Sequence, residues 1–407
     1  MTALKLSEHE TVQEHDQRHN ASGYVPSFGA FGSMRRVALF IPKLRAGGAE
    51  KVTLNLAAAL AARGLAVDVV VGSAGGQLRP QMPEQVRFVD LLARPPAILS
   101  KTKRLAQYLA VERPSVLFSS LDIVGSAVAA RLISKARTKI VMCVHTNLSA
   151  QFRDYRSVVS WVRPALLKFA YRRADHVAAV SRGILDDLLT LVELPEDRVS
   201  VLYNPVVSDE MLARAAEAIS HPWFAGGAHK VIVAAGRLVR QKDFPTLLKA
   251  FQIVRQHQEC KLVIFGDEDP RQPAMRSSLQ NLAQSLGIAE HCRFEGFVQN
   301  PYPFFRRSDL FVLSSIYEGL PTVLIEALAC GLPVVSTDCP SGPREILCDG
   351  EFGTLVPVGD CKSLADGIAK ELSQPRLRSP LRQRASEFSY QSAVDRYMQL
   401  MQRLVPA

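Results

Sequence analysis

The sequence predicts an α/β protein made of two doubly wound parallel sheets. Short apolar runs of strand length alternate with helical patterns from residue 34 almost to the end. The alternation halts at Asn204-Pro205, passes a loosely patterned segment containing Gly226-Gly227, and restarts with a fresh apolar run at Lys230. A length of 407 residues accommodates two or three domains, each able to bury its own core. The expected divisions are a polar, aperiodic leader over residues 1–33, a first domain over 34–206 and a second over 207–387.

In the first half, Met34 to Ile41 reads as a buried strand, and Met34 is itself a candidate for the physiological start. Gly47-Gly48 follows at the entry to an amphipathic helix that ends near Arg63-Gly64. A strand, a glycine turn and a helix N-terminus form the geometry in which backbone amides approach a phosphate, although such a pair also serves simply as a turn. The spacing is not G-x-G-x-x-G, so it carries no nicotinamide reading. Further strands are expected at Val67–Val71, Ser115–Ser119 and Lys139–Val144, with a helix over Ile123–Ser134. His145 stands at the C-terminal end of the Lys139–Val144 strand, where doubly wound sheets bind ligands. A structural histidine fits that position equally well. His176–Val180 is the next strand, Ser181 caps a helix from Ile184 to Leu191, and Val199 to Pro205 closes the half.

The second half opens with Lys230 to Gly236, a buried strand that delivers Arg237 and Lys242 to the loop before a helix over Phe244–Arg255. Two cations at a strand end suit a diphosphate. Lys261–Phe265 ends in Gly266-Asp267-Glu268-Asp269-Pro270, and a helix over 273–286 and a strand from Cys292 to Val298 follow. Asp309–Leu313 is again strand-like. It leads into Ser314-Ser315-Ile316-Tyr317-Glu318-Gly319-Leu320-Pro321-Thr322, with a helix expected to open at Pro321 and to carry Glu326. Amides near Gly319 and Leu320 form a seat for a phosphate or a sugar hydroxyl, flanked by Glu318 and Glu326. Taken alone, the pair also reads as two ordinary helix-surface carboxylates. Pro333–Thr337, Gly353–Pro357 and terminal helices complete the pattern.

Composition excludes several classes. No apolar stretch reaches the ~20 residues of a membrane helix, and no hydrophobic signal core opens the chain. The seven cysteines form no C-x-x-C pair, so they read as reduced cytosolic thiols, and neither metal nor disulfide is expected. The net charge of +10 is one-sided: residues 1–206 hold 27 Lys and Arg against 17 Asp and Glu, whereas residues 207–407 hold 22 of each. Within the basic half, Leu148 to Arg182 interleaves Arg153, Arg156, Arg163, Lys168, Arg172 and Arg173 with Phe152, Tyr155, Trp161, Phe169 and Tyr171. Such a stretch suits an anionic membrane surface, or a solvated helix face with an apolar side. Nucleic acid is not expected, because no binding signature accompanies the charge.

Three motifs in order now carry a resemblance. Gly47-Gly48-Ala49-Glu50, Gly236-Arg237-Leu238 with Lys242, and Glu318-x7-Glu326 resemble the retaining glycosyltransferases of family 4, which have the GT-B fold of two Rossmann-like domains facing across a cleft. Cys339-Pro340-Ser341-Gly342-Pro343-Arg344-Glu345 resembles a branch that builds lipopolysaccharide cores, capsules and lipid-linked oligosaccharides. The match covers residues 35 to about 400. The resemblance implies a nucleotide-diphosphate sugar, most readily a UDP-sugar, held mainly by the second domain. Arg237 and Lys242 would neutralise the diphosphate, and Glu326 would accept from ribose hydroxyls. Glu318, Gly319, Leu320, Pro321 and Thr322 would hold the donor sugar, with the Val298 backbone near the base. Gly48 would approach the phosphates from the first domain, His145 would touch the sugar near its anomeric carbon, and Glu50 and Lys51 would lie on the acceptor side. The closing helix, within about 388–407, would return to the first domain. One departure stands out: the family commonly has Gly-x-Gly-Pro where this chain has Gly266 to Pro270, one residue longer and lacking the second glycine.

The resemblance also implies a glycan or lipid-linked acceptor, no metal, and no cofactor beyond the sugar donor. The enzyme would be cytoplasmic, with a peripheral hold on the inner face of the membrane. A soluble acceptor or a nucleotide-sugar epimerase is the alternative among enzymes. A scaffold or nucleic-acid-binding protein is the alternative outside them, although a scaffold has no reason to keep Arg237, Lys242 and both glutamates.

Overall fold

Thirteen parallel strands in two sheets carry the described part of the chain. The computed structural model describes residues 36–42, 48–73, 84–94, 97–122, 125–154, 163–226, 229–270, 272–374 and 376–406. The leader over 1–33, Met34, Gly47, Tyr155, Arg156 and Trp161 therefore lie outside the described residues. The first sheet comprises β1 (Arg36–Ile41), β2 (Ala66–Val71), β3 (Arg87–Asp90), β4 (Val116–Ser120), β5 (Lys139–Val144), β6 (His176–Ala179) and β7 (Val199–Val201). Their spatial order is β3-β2-β1-β4-β5-β6-β7. The second comprises β8 (Lys230–Ala235), β9 (Cys260–Phe265), β10 (Cys292–Gly296), β11 (Leu310–Leu313), β12 (Val334–Thr337) and β13 (Thr354–Val356), ordered β10-β9-β8-β11-β12-β13.

Each sheet reverses its winding once, between β1 and β4 and between β8 and β11. At such a point the connections leave to opposite faces and open a crevice beyond the strand C-termini. Helices cover both faces, which is why the strands are continuous apolar runs rather than alternating ones. Val37 to Ile41, for instance, are all at most 1% exposed.

Local chemistry sets the helix ends. Ser181 Oγ accepts from the Ile184 amide at the start of helix Arg182–Leu191. Helix Phe244–Arg255 begins after Asp243, which terminates the preceding turn in the left-handed region at φ 45°. The last helix, Tyr390–Leu404, starts at a Ser389 cap and lies on helix Gly48–Ala62 of the first sheet. Its Val394, Tyr397, Met398, Leu400 and Met401 share a core with Val37, Leu39 and Ile41. Tyr397 meets Phe118 edge-on with ring centroids 5.3 Å apart. Another buried cluster is continuous through residues of both sheets, so the two layers share packing as well as chain.

Three details differ from the sequence reading. β3 and helix Ala97–Glu112 are present although neither was expected. Helix Thr322–Ala329 begins one residue later than anticipated, with Pro321 at the cap in an extended conformation (φ −68°, ψ 96°). Residues between Asn204 and Lys230, expected to be loosely patterned, contain a short helix, Asp209–Arg214.

Candidate active site

The site is built where β8 and β11 end. Gly236 closes β8 at φ 157°, and a Cβ there would fall 2.8 Å from the Lys242 side chain. Lys242 therefore folds back over the strand end. Its Nζ lies 2.6 Å from Glu318 Oε1, and Ser315 Oγ donates to the same oxygen at 2.6 Å. Ser314 Oγ holds the loop by donating to the Lys242 carbonyl at 2.7 Å. Gln241 clamps the turn from both sides, its carbonyl accepting from Ile316 N and its side chain donating to Tyr317 O. The buried Glu318 carboxylate is thus fixed by one cation and one hydroxyl, beside the turn that leads to Thr322. Arg237 points elsewhere: its Nη1 donates to Asp269 Oδ2 at 2.8 Å, using the loop of altered length. Arg237 is 43% exposed along its side chain, so its free edge still faces solvent.

The first sheet presses against this turn. A Cβ on Gly319 would fall 2.0 Å from the His145 carbonyl oxygen, so only glycine allows the approach. Ser181 Oγ donates to Gly319 O at 2.9 Å, and Asn147 Nδ2 donates to Ser341 Oγ at 3.2 Å. The Glu345 carboxylate accepts from Arg182 N at the start of its helix and from Tyr203 OH at 2.6 Å. Charge at a helix N-terminus favours that carboxylate. His145 itself has Nε2 3.0 Å from Ser120 Oγ, while Nδ1 is buried without a partner among the described residues. Burial pulls its pKa down to about 4, so the ring is neutral near pH 7.

A second link crosses between the sheets. Lys51, expected on the acceptor side, extends from helix Gly48–Ala62 to the second sheet, placing Nζ 2.8 Å from Glu326 Oε1 and 2.8 Å from Tyr302 OH. Burial opposes its charge, but the Glu326 carboxylate and the Tyr302 hydroxyl more than offset that and hold the ammonium above its ordinary value. Burial, with the same carboxylate, raises Tyr302 to about 12. Glu326 enters from the second turn of its helix and is almost fully buried.

The structure therefore brings together Lys242 with Glu318, Gly319 with His145, Lys51 with Glu326, and Gly48 with Thr322, whose Oγ1 lies 3.9 Å from a Cβ built on Gly48. Glu50 is buried in the first turn of its helix. Val298 packs on the core beyond β10. Asp269, Tyr302, Ser315, Ser341 and Glu345 complete the constellation. Tyr302 gave no signal in the sequence, Asp269 lay in the loop of altered length, and the others lay inside motifs already singled out. Among the described residues no helix is long and apolar enough to cross a membrane. No group of three His, Cys, Asp or Glu among them could hold a metal ion.

Two parallel domains meeting strand end to strand end, with ion pairs and glycine contacts in the crevice, define a GT-B glycosyltransferase. The family model described as Glycosyltransferase Family 4 matches residues 46–210, and that described as Glycosyl transferases group 1 matches residues 217–391. The chain belongs to this family and is a sugar-transferring enzyme. Among curated relatives, the N-acetylgalactosamine-N,N'-diacetylbacillosaminyl-diphospho-undecaprenol 4-alpha-N-acetylgalactosaminyltransferase of Campylobacter jejuni is 28% identical over 364 residues, 86% of this chain and 94% of that protein. The lipopolysaccharide core biosynthesis glycosyltransferase LpsE of Rhizobium meliloti is 35% identical over 176 residues, 42% of this chain and 49% of its own. The structure of Anabaena HepE in complex with UDP-glucose shares the fold at a TM-score of 0.74 and 18% identity, covering 90% of this chain and 99% of that one.

Proposed function

We propose that this enzyme is a retaining glycosyltransferase that moves a sugar from a UDP-sugar to a hydroxyl of a membrane-associated glycan or glycolipid during assembly of a bacterial surface polysaccharide. The observation that carries the reading is the Lys242–Glu318 pair beneath the Gly319 turn, closed over by the His145 backbone. Lys242 and the exposed edge of Arg237 meet the diphosphate. The amides from Gly319 to Thr322, with Leu320 and Pro321, seat the sugar against Glu318. Glu326 accepts from ribose hydroxyls, the Val298 backbone borders the base, and Gly48 nears the phosphates. His145, being neutral, donates or accepts one hydrogen bond near the anomeric carbon.

The chemistry follows from charge. As the anomeric C–O bond breaks, its electron pair goes to the diphosphate while the sugar becomes cationic. Lys242, Arg237 and the turn amides stabilise the leaving group as its charge develops. The acceptor oxygen attacks from the same face, and its proton passes to the departing phosphate oxygen. The closed crevice excludes water, which would otherwise hydrolyse the donor. Glu50 lies on the acceptor's side, whereas Lys51 reaches from that side to Glu326 in the donor half.

The names of the Campylobacter and Rhizobium relatives support a lipid-linked or lipopolysaccharide acceptor. The basic excess supports a peripheral hold on the cytoplasmic face of an anionic membrane. Helix Arg163–Arg173 exposes Phe169 to 45% beside Lys168 and Arg172. The Arg173 guanidinium stacks 4.5 Å above the Phe169 ring.

A thermal-shift panel of UDP, GDP, ADP, CMP and their sugars tests the donor, on the wild type and on Lys242→Ala. A ligand that binds only the native state raises the melting temperature. UDP is expected to raise it in the wild type and not in the variant. No shift with any nucleotide would refute the site. The anomeric configuration of the product, read by NMR, tests retention.

A further inference from the structure

The first sheet carries a cavity at its foot, on the side away from the crevice. It has a volume of about 630 Å³ and lies where β4 and β5 begin, between the end of helix Ala97–Glu112, the loop after helix Ser126–Ser134 and the end of the chain. Arg113, Lys135, Arg137 and Thr138 line it together with the apolar Leu109 and Val405. The Lys135 and Arg137 side chains have no hydrogen bond or ion pair to a described residue, and Arg113 has only its Nε on the Ala110 carbonyl, at 3.2 Å. Asp175, which Lys139 of the same loop reaches at 3.4 Å, is already engaged by Arg131 and by the Ile140 amide. Arg113 and Lys135 each follow the end of a helix in the left-handed region, at φ 46° and 53°. Glycine normally takes such a position, and a side chain there costs about 1–2 kcal/mol. The helix dipoles favour one cation at each of those ends. Arg137 belongs to neither helix, so no dipole accounts for it. Thr138 is 3% exposed, and its hydroxyl is buried without a hydrogen-bond partner among the described residues. Buried hydroxyls are normally paired.

We propose that this cavity binds a phosphomonoester, at a site separate from the crevice where donor and acceptor meet. The two guanidinium forks meet phosphate oxygens in pairs, Lys135 adds a point charge, and the Thr138 hydroxyl donates to the oxygen left over. Three cations match a group that carries about −1.5 to −2 at pH 7 better than they match a single carboxylate. The cavity is far larger than a phosphate, and Leu109 and Val405 offer the rest of it to an apolar organic group. A small soluble ester and a phosphatidic acid headgroup share this chemistry. β4 and β5 both run from the cavity to the crevice, where Ser120 Oγ lies 3.0 Å from His145 Nε2. The five residues of β4, at about 3.3 Å each, keep the two sites roughly 16 Å apart. The assignment does not depend on the function proposed above.

Calorimetry on the full chain tests this, with hexyl phosphate, inorganic phosphate, hexanoate and UDP as probes. Hexyl phosphate is expected to bind the wild type more tightly than inorganic phosphate does, and hexanoate is expected not to bind. Arg137→Gln and Thr138→Val are each expected to weaken hexyl phosphate about tenfold, the worth of one charge-assisted hydrogen bond. Arg137 is exposed, so its variant keeps the fold. Lys249→Gln, at an exposed position of the second domain, is expected to leave the binding unchanged, and UDP affinity is expected to stay constant in all three variants. Absence of hexyl phosphate binding in the wild type overturns the assignment, as does binding unchanged in both Arg137→Gln and Thr138→Val. Equal losses in Lys249→Gln and Arg137→Gln show general attraction to a basic protein and overturn it too. Hexanoate binding as tightly as hexyl phosphate overturns the phosphate chemistry. Competition between hexyl phosphate and UDP places the ester in the donor site and overturns the separate pocket. Sedimentation with phosphatidylcholine vesicles, with and without phosphatidic acid, separates the sources. Phosphatidic acid that pellets the wild type but not Arg137→Gln makes the ligand a lipid headgroup, and hexyl phosphate binding without pelleting makes it a soluble ester.

Discussion

Gly319→Ala isolates cleft closure from everything else the site does. The backbone of Gly319 is outside the left-handed region, so alanine suits it conformationally, and the whole penalty is the new methyl group. That methyl would fall 2.0 Å from the His145 carbonyl oxygen and 2.8 Å from its carbon. Restoring a 3.0 Å contact needs a shift of about 1 Å between two segments of backbone, neither of which can rotate away. Ser181, which donates to Gly319 O, holds the turn in place and blocks the easiest retreat. Overpacking of this kind costs about 1–3 kcal/mol, which lowers the melting temperature by only a few degrees. A 1 Å misplacement between reacting groups costs about 100-fold in turnover. Lys242, Glu318 and Arg237 all belong to the second sheet's loops, so UDP affinity should fall less than tenfold. Steady-state nucleotide release, UDP calorimetry and small-angle scattering on the same preparation read the three quantities. Wild-type turnover with unchanged scattering would refute the argument that this contact defines the working closure.

Lys242→Ala leaves Glu318 buried without its cation, which costs about 3–5 kcal/mol and removes sugar transfer. Adding Glu318→Gln should recover most of the stability and none of the activity, and equal stability of the single and double variants in urea would contradict the pairing. The pH dependence follows from two histidines. Burial pulls both His145 and His176 down to about 4, with Arg403 and Arg198 assisting at His176. Their unfolded values lie near 6.5, so the unfolded chain binds more protons between pH 4 and 6.5. Their contribution to stability is full above about 6.5 and is lost as pH falls toward 4. His176→Gln should flatten that acid limb of the melting curve, and an unchanged limb would disprove it.

Much of the fold was legible because parallel strands buried on both faces announce themselves as apolar runs. β1, β5, β8, β9 and β11 were readable for that reason. β3 was not: it is an edge strand with the sequence Arg87-Phe88-Val89-Asp90 and no fully buried residue. Glu318 and Lys242 were readable as strand-end charges, and Glu326 as a helix position. Their partners were not. Lys51 reaches Glu326 across 275 positions of sequence, and Gly319 meets His145 through backbone that any side-chain pattern conceals. Asp269 was visible only as an irregularity in a loop, until Arg237 was found donating to it.

Those pairings change how donor binding should be pictured. Each cation assigned to the diphosphate already has a carboxylate: Lys242 holds Glu318 and Arg237 holds Asp269. An entering diphosphate does not meet bare positive charge. It completes donors that the carboxylates leave over, since an ammonium has three N–H groups and a guanidinium five. Attraction at long range is thereby muted, and the gain arrives only when the phosphate oxygens are in hydrogen-bonding position. The same logic applies across the cleft. Glu326 gives one oxygen to Lys51 from the opposite sheet; in the function proposed above, its carboxylate also accepts from a ribose hydroxyl. On that proposal a single carboxylate would report both closure and nucleotide, coupling the two through the cleft itself. Carboxylates that look like competitors for the cations are, on this geometry, what makes the site wait for the correct ligand before its charges act.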